Sequence, residues 1–360
     1  MIRSLSMLLL TMLVSAGIVE AQRPPLLNSP EVHPDNRVTF RYYSRSAQQV
    51  TLNGEFLKAG QPMQKDTSGV WSVTVGPVTP DVYPYSFWVD SVQLADPNNT
   101  YIFANERFKR SIVDVPGNTP LIHSLQNVPH GKVSYRYYKS NALGTTRRLL
   151  VYTPPGFDQT GKTRYPVLYL IHGGSDTEET WTKVGRANLI ADNLVAQGKA
   201  RHMIIVMPYG NVRPAAMADF TGDVINDIIP FIESNYPVSP DSKHRAIAGF
   251  SVGGGQTLNI GLTNPDKFGF VCSYAPYTAT EEYKKNFTQW SPDSTLMNKK
   301  LALFTISVGT EDFLFEPVKQ NIAFFKEKGL AVKSYIVPGG HTWMNCKRYL
   351  ATTLQEIFED

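Results

Sequence analysis

A series of uninterrupted apolar runs constrains this chain more than any other feature. PVLYLIHGG, HMIIVMPYGN, HRAIAGFS, FGFVCSYAP, LALFTISVG and AVKSYIVPGG recur from residue 166 onward. Between or after them lie stretches with helical spacing: ANLIADNLVAQGK, FTGDVINDIIPFIESNYP, GGGQTLNIGLTNP, NIAFFKEKG and the closing TWMNCKRYLATTLQEIFED. A strand that is apolar throughout, not on alternate residues, needs cover on both faces. Strands of that kind alternating with helices predict a parallel sheet between helical layers, an α/β fold over residues 132–360. YRYYKS and TRRLLVYTPPGF read as a hairpin that opens this half.

The chain before Lys132 follows a different rule. RVTFRYYS, QQVTLNGEF, GVWSVTVGPV and VYPYSFWVDS are short, aromatic and β-branched, with Asn53-Gly54 as a turn signal and no competing helix. They predict an all-β sandwich over residues 29–116. In GVWSVTVGPV, Trp71, Val73 and Val75 fall on one side and Val70, Ser72 and Thr74 on the other. Trp71, Tyr85 and Trp88 are rings of the kind that stack on sugars, and most of them are read instead as core or interface rings. Residues 117–131, GNTPLIHSLQNVPHG, carry Pro and Gly and read as a surface linker, so the first domain is expected to be separable and non-catalytic.

The first residues, MIRSLSMLLLTMLVSAGIVEAQ, have a basic start at Arg3, an apolar stretch and small residues at Val19-Glu20-Ala21. That pattern predicts an export signal over residues 1–21, a mature chain from about Gln22, and a secreted or periplasmic location. The apolar stretch is short for about 30 Å of hydrocarbon, so no membrane span is expected. The net charge of +4 is not clustered, which argues against nucleic acid as a partner. Cys272 lies in an apolar run, and buried free thiols at Cys272 and Cys346 are preferred over a disulfide. Neither cysteine has a histidine pair at ligand spacing, so no metal and no cofactor are expected.

The chemistry-bearing motif is Gly249-Phe250-Ser251-Val252-Gly253, which leaves an apolar strand and enters a helix. A sharp turn there exposes the serine hydroxyl, and glycines two residues to either side admit close packing of the chain. A serine hydroxyl is a weak nucleophile and needs a base held by a third group. His341, in VPGGHTW, is the only histidine after Ser251 and stands just before the last helix. The acid belongs on the loop after LALFTISVG, where Glu311 and Asp312 both fit and Glu316 is more distant. Backbone donors for a developing oxyanion are expected from Val252 and from Gly174 or Gly173 of IHGGSD, with His172 bracing that turn. Trp181 and Trp343 are candidates for lining the substrate pocket, with packing roles equally open. The other histidines show no constellation.

YLIHGGSDTEETW, VMPYGN, NDIIPFIESNYPV, IAGFSVGGGQTL, NPDKFGF, VGTEDFLF and VPGGHTW together resemble the esterase D-like family of α/β-hydrolase folds. Within it they are similar to the feruloyl and acetylxylan esterases of carbohydrate esterase family 1, over roughly residues 140–358. The resemblance implies Asp312 as the acid, Ser251 as nucleophile and His341 as base. It also implies a feruloyl ester on plant cell-wall xylan, or a feruloylated oligosaccharide, as substrate. Acetylated xylan and siderophore esters remain open, as does acyl transfer to a sugar hydroxyl. A non-catalytic carbohydrate-binding protein is the reading from another class. Val252 stands where many relatives carry Met. The first half resembles the early-set immunoglobulin-like domains found beside glycan-active enzymes, sometimes classed as carbohydrate-binding modules.

Overall fold

A computed structural model describes residues 25–212 and 217–359; the expected export signal lies outside them. The first half forms two facing antiparallel sheets. One orders Glu31–Val32, Val38–Tyr43, Val70–Val75 and Gln64–Lys65. The other orders Gln61–Pro62, Val50–Gly54, Asp81–Val89, Lys109–Val115 and Ile102–Ala104, with Val92–Leu94 paired to Asp81–Val89. Alternation along Asp81–Val89 sends Tyr83, Tyr85 and Phe87 into the space between the sheets, where they meet Phe40, Leu52 and Trp71. Trp71 and Tyr85 are thus core rings, and Trp88 stands 41% exposed on the outer face. Asn53 and Gly54 are not a hairpin tip: they pair with Ser86 and Tyr85 inside the second sheet. The chain reverses only beyond them, where Leu57 N–H donates to Gly54 O.

The second half is an eight-stranded sheet. Its strands are β1 (Lys132–Ser140), β2 (Thr145–Thr153), β3 (Val167–Ile171), β4 (Ile204–Pro208), β5 (Arg245–Phe250), β6 (Phe270–Tyr274), β7 (Leu303–Gly309) and β8 (Val332–Val337). The spatial order is β1-β2-β4-β3-β5-β6-β7-β8, antiparallel through the opening hairpin and parallel from β4 to β8. All residues of β3, β4, β5 and β6 are buried, which is why their sequences lack polar alternation. Helix α1 (Val252–Thr263) follows β5, and helix α2 (Trp343–Glu356) follows β8. The FTGDVINDIIPF stretch is helical but passes through a π-helical segment, Asp223–Ile228, just before Pro230.

The two halves share a core. Val82, Phe103 and Ile112 of the sandwich belong to the same apolar cluster as the strands of the large sheet. Lys347, on α2, is buried with its ammonium 2.8 Å from Asp81 and donating to Val82 O at 3.2 Å. His123 reaches the same carboxylate at 3.2 Å. The expected surface linker is therefore strapped down: His123 is buried, and Asn193 Nδ2 donates to both Ile122 O and Ser124 O. The sandwich covers apolar surface of the large sheet through these contacts.

Candidate active site

Ser251 sits between β5 and α1 with φ 58° and ψ −116°, outside the relaxed regions for a side-chain-bearing residue. Its neighbours hold it there. Ser251 N–H donates to Tyr274 O at 2.9 Å, and Ser251 O accepts from Gly255 N–H and Tyr277 N–H. A Cβ on Gly249 would lie 2.4 Å from Gly253 O, and one on Gly253 would lie 2.2 Å from His172 O. Both positions therefore require glycine, and the motif spacing follows from this close packing.

His341 lies on the loop between β8 and α2. Its Nδ1 is 2.8 Å from Asp312 Oδ2, and the other carboxylate oxygen accepts from Leu314 N–H at 2.8 Å. Asp312 is buried, whereas Glu311 is exposed and only its backbone N–H is engaged, with Gly339 O. Glu316 pairs with Lys319 on the surface. Of the three candidate acids, Asp312 is the one whose carboxylate meets His341. The imidazole lies against Phe250, with ring centroids 4.4 Å apart, so the residue before the serine seats the histidine at the elbow. Phe313 meets the same imidazole at 4.7 Å, tilted by 55°, and is 72% exposed.

The loop after β3 faces the start of α1. A Cβ on Gly174 would meet the Val252 side chain at 2.9 Å, so the two expected oxyanion donors stand on adjoining chain segments. Gly173 O is 2.7 Å from His172 Nδ1, while His172 Nε2 accepts from Gly210 N–H at 2.8 Å. Burial pushes the imidazole of His172 down to about 4, so it stays neutral near pH 7 and acts as a brace. Burial also pushes the Asp176 carboxyl up to about 7, against a hydrogen bond from Asn105 that favours its charged form.

A cleft of about 690 Å³ opens beside this centre, lined by Ser175, Val252, Gln256 and Gly210. Glu106 and Arg107 reach it from the sandwich, and Glu281 and Glu282 from the chain after β6. Sequence reasoning missed these four, since none belongs to a motif, and Phe313, which stands inside VGTEDFLF next to Asp312 and was not singled out there. Trp181 and Trp343, offered as pocket residues, do not line it. Trp181 is fully buried with its indole N–H on Ile171 O, and Trp343 is 4% exposed. Their rings pack edge to face at 5.1 Å beneath Phe250, so they support the site from below. Cys272 and Cys346 are free and buried, and burial pushes the Cys272 thiol up to about 12. Among the described residues no group of His, Cys, Asp and Glu is arranged to hold a metal ion.

Residues 140–352 match the family model described as Putative esterase, more than half of the chain. The chain belongs to this esterase family. In the same esterase, residues 29–100 match the carbohydrate-binding module 48 model, also described as the isoamylase N-terminal domain. An endo-1,4-beta-xylanase/feruloyl esterase of Xylanibacter ruminicola is 27% identical over 345 residues, covering 92% of this chain and 46% of that protein. Endo-1,4-beta-xylanase Y of Acetivibrio thermocellus is 32% identical over 120 residues, covering 30% of this chain and 11% of that protein. The chain thus spans less than half the length of these curated relatives. Among solved structures, a ferulic acid esterase matches with 26% identity and a TM-score of 0.58, covering 64% of this chain and 98% of that one. The enterobactin esterase FES of Shigella flexneri shares the fold over 89% of this chain and 92% of its own, with a TM-score of 0.67 at 18% identity.

Proposed function

We propose that this chain is a serine carboxylic-ester hydrolase that cleaves feruloyl esters on plant cell-wall xylan. The observation that carries the reading is the Asp312–His341 pair at 2.8 Å, its imidazole packed on Phe250, the residue just before the strained Ser251. His341 takes the Ser251 proton as Oγ attacks the ester carbonyl, and Asp312 holds the imidazole in the required tautomer and stabilises its charged form. The oxyanion is met by Val252 N–H at the start of α1 and by Gly174 N–H, with Gly173 turned to the Asp176 carboxyl instead. The alcohol leaves with the proton from His341; water then attacks the acyl-enzyme by the same route in reverse.

The feruloyl assignment leans on the relatives named above and on one exposed ring beside His341. Phe313 offers an exposed ring beside the base, the kind of surface on which a hydroxycinnamoyl group buries apolar area that an acetyl group lacks. Export by the N-terminal segment fits an extracellular polysaccharide substrate. Turnover of methyl ferulate, acetylated xylan, p-nitrophenyl acetate and a catecholate siderophore ester, by the parent and by Ser251→Ala, tests the reading. Methyl ferulate is expected to have the highest kcat/KM, and Ser251→Ala to lose at least about 1000-fold. Preference for the acetyl or siderophore ester would replace the substrate, and an active Ser251→Ala would remove the triad.

A further inference from the structure

The loop that carries Gly173 and Gly174 is held from both sides, and one of the two hands belongs to the sandwich. The loop needs holding. It contains two glycines and Ser175 at φ 63°, a conformation that side-chain-bearing residues adopt at a cost. On the side of the large sheet, Gly210 N–H bonds His172, and Asn211 Nδ2 donates to Asp176 O at 2.8 Å. On the other side, Glu106 N–H donates to Ser175 O at 2.7 Å, and Asn105 Nδ2 donates to Asp176 Oδ1 at 2.9 Å.

The Asn105 amide has a defined orientation, because its Oδ1 accepts from Arg107 N–H at 2.9 Å and so turns Nδ2 to the carboxyl. Asn105 and Asp176 are 3% and 6% exposed, which shields the bond between them from competing water. The Asp176 carboxyl in turn lies against the glycine loop: a Cβ on Gly173 would sit 3.1 Å from Oδ2. Asp176 N–H closes the turn on Gly173 O at 3.2 Å. A displacement of Asp176 is therefore transmitted to the backbone expected to meet the oxyanion.

We propose that Asn105, a residue of the sandwich, is a positioning residue for the oxyanion hole, acting through Asp176 on the Gly173–Gly174 backbone. The inference rests on the serine-esterase reading and deepens it. The catalytic centre is then assembled across the two halves, with the sandwich contributing to transition-state geometry and not only to substrate capture. Donors aimed at a developing charge act on kcat, and a misplacement of about 1 Å costs on the order of 100-fold.

The test uses the full chain with Asn105→Asp, Asp176→Asn and the two together. Asn105→Asp sets two carboxyl groups face to face and removes the donor, and the double variant restores an amide–carboxyl pair in reverse. kcat and KM are measured on p-nitrophenyl acetate, together with affinity for phenylboronic acid. In that adduct Ser251 Oγ donates an electron pair to boron, its proton passes to His341, and the resulting tetrahedral boronate anion places an oxygen where the oxyanion forms. Asn105→Asp is expected to lower kcat by about 100-fold with KM changed by less than about threefold, to weaken boronate binding in parallel, and to be rescued by Asp176→Asn. Asn105→Ala, which removes the donor without adding charge, gives the same comparison if Asn105→Asp does not fold. Retained kcat, a loss of kcat without a loss of boronate affinity, or failure of the double variant to recover would each overturn the proposal. A parent chain that hydrolyses no ester and binds no boronate overturns the serine-esterase reading, and the proposal with it.

Discussion

At the scale of single residues, the site divides into positions that chain order identifies and positions that only side-chain direction identifies. Ser251 and His341 belong to the first kind, one marked by its glycines and the other by being the only histidine downstream. The acid sits between the two kinds: Glu311 and Asp312 are adjacent in sequence, but only Asp312 points inward to the imidazole. Asp312→Asn is therefore expected to lower kcat by about 10⁴, because the amide favours the wrong imidazole tautomer, while Glu311→Gln stays within about twofold of the parent. Side-by-side kinetics on methyl ferulate decide this, and equal losses would mean that both carboxylates act. Trp181 and Trp343 were illegible for the opposite reason. They stand close to His341 and the glycine loop in sequence, but their rings turn under the sheet edge into the core. Phe313 occupies the accessible place. Phe313→Ala is expected to raise KM for methyl ferulate several-fold more than KM for p-nitrophenyl acetate, and equal changes would detach this ring from the acyl group.

Among elements, the strands of the large sheet were readable because burial on both faces writes itself into sequence as unbroken apolar runs. The Asn53-Gly54 pair misled because a turn dipeptide carries weight only where no partner strand claims its backbone, and here Asp81–Val89 does. The loop after β3 was legible as a glycine turn that closes on the start of α1, but its electrostatics were not, since they arise from burial. Asp176 gives a pH signature with a definite sign. Burial first, and Glu55 more weakly, raise its carboxyl to about 7, while the bonds from Asn105 and Gly173 and the charge of Arg110 oppose them. Between about pH 4 and 7 the folded chain holds a proton that an unfolded carboxyl has released, so this group's contribution to stability falls as pH rises through that window. The variant Asp176→Asn keeps an oxygen for Asn105 and does not titrate. Its melting temperature relative to the parent is expected to rise from pH 4 to pH 7 and then level off. His172, depressed to about 4, has the opposite dependence but is common to both proteins and cancels in the difference. A constant offset across this range would place the Asp176 titration elsewhere.

The whole molecule depends on an interface that no motif announces. Val82, Phe103 and Ile112 lie in the sandwich half and Lys347 in the last helix, and no sequence pattern marks any of them as an interface residue. In the fold, Lys347 and Asp81 form a buried pair joined by His123, and Tyr101 OH bonds Lys183 O across the same boundary. Burial pushes the Asp81 carboxyl up, but His123 and Lys347 outweigh it and hold it below the usual range. Its contribution to stability is therefore present above about pH 4 and is lost as pH falls below that. Removing one partner leaves the other charge with too little compensation, which costs about 3–5 kcal/mol for a buried pair, whereas replacing both by apolar groups of similar size is far milder. Lys347→Met and Asp81→Leu are each expected to destabilise the full chain by that order in urea titrations, and the double variant by clearly less than their sum. Additive losses would show that the two side chains act independently and that the interface rests on its apolar contacts alone. The same reasoning bears on a chain cut at Lys132. It would expose the surfaces that cover Phe103 and Ile112 and leave the glycine loop without Asn105 and Glu106, so it is expected to melt lower and aggregate more readily than the full chain. A truncated chain of undiminished stability and kcat would return the sandwich to the status of an appended module.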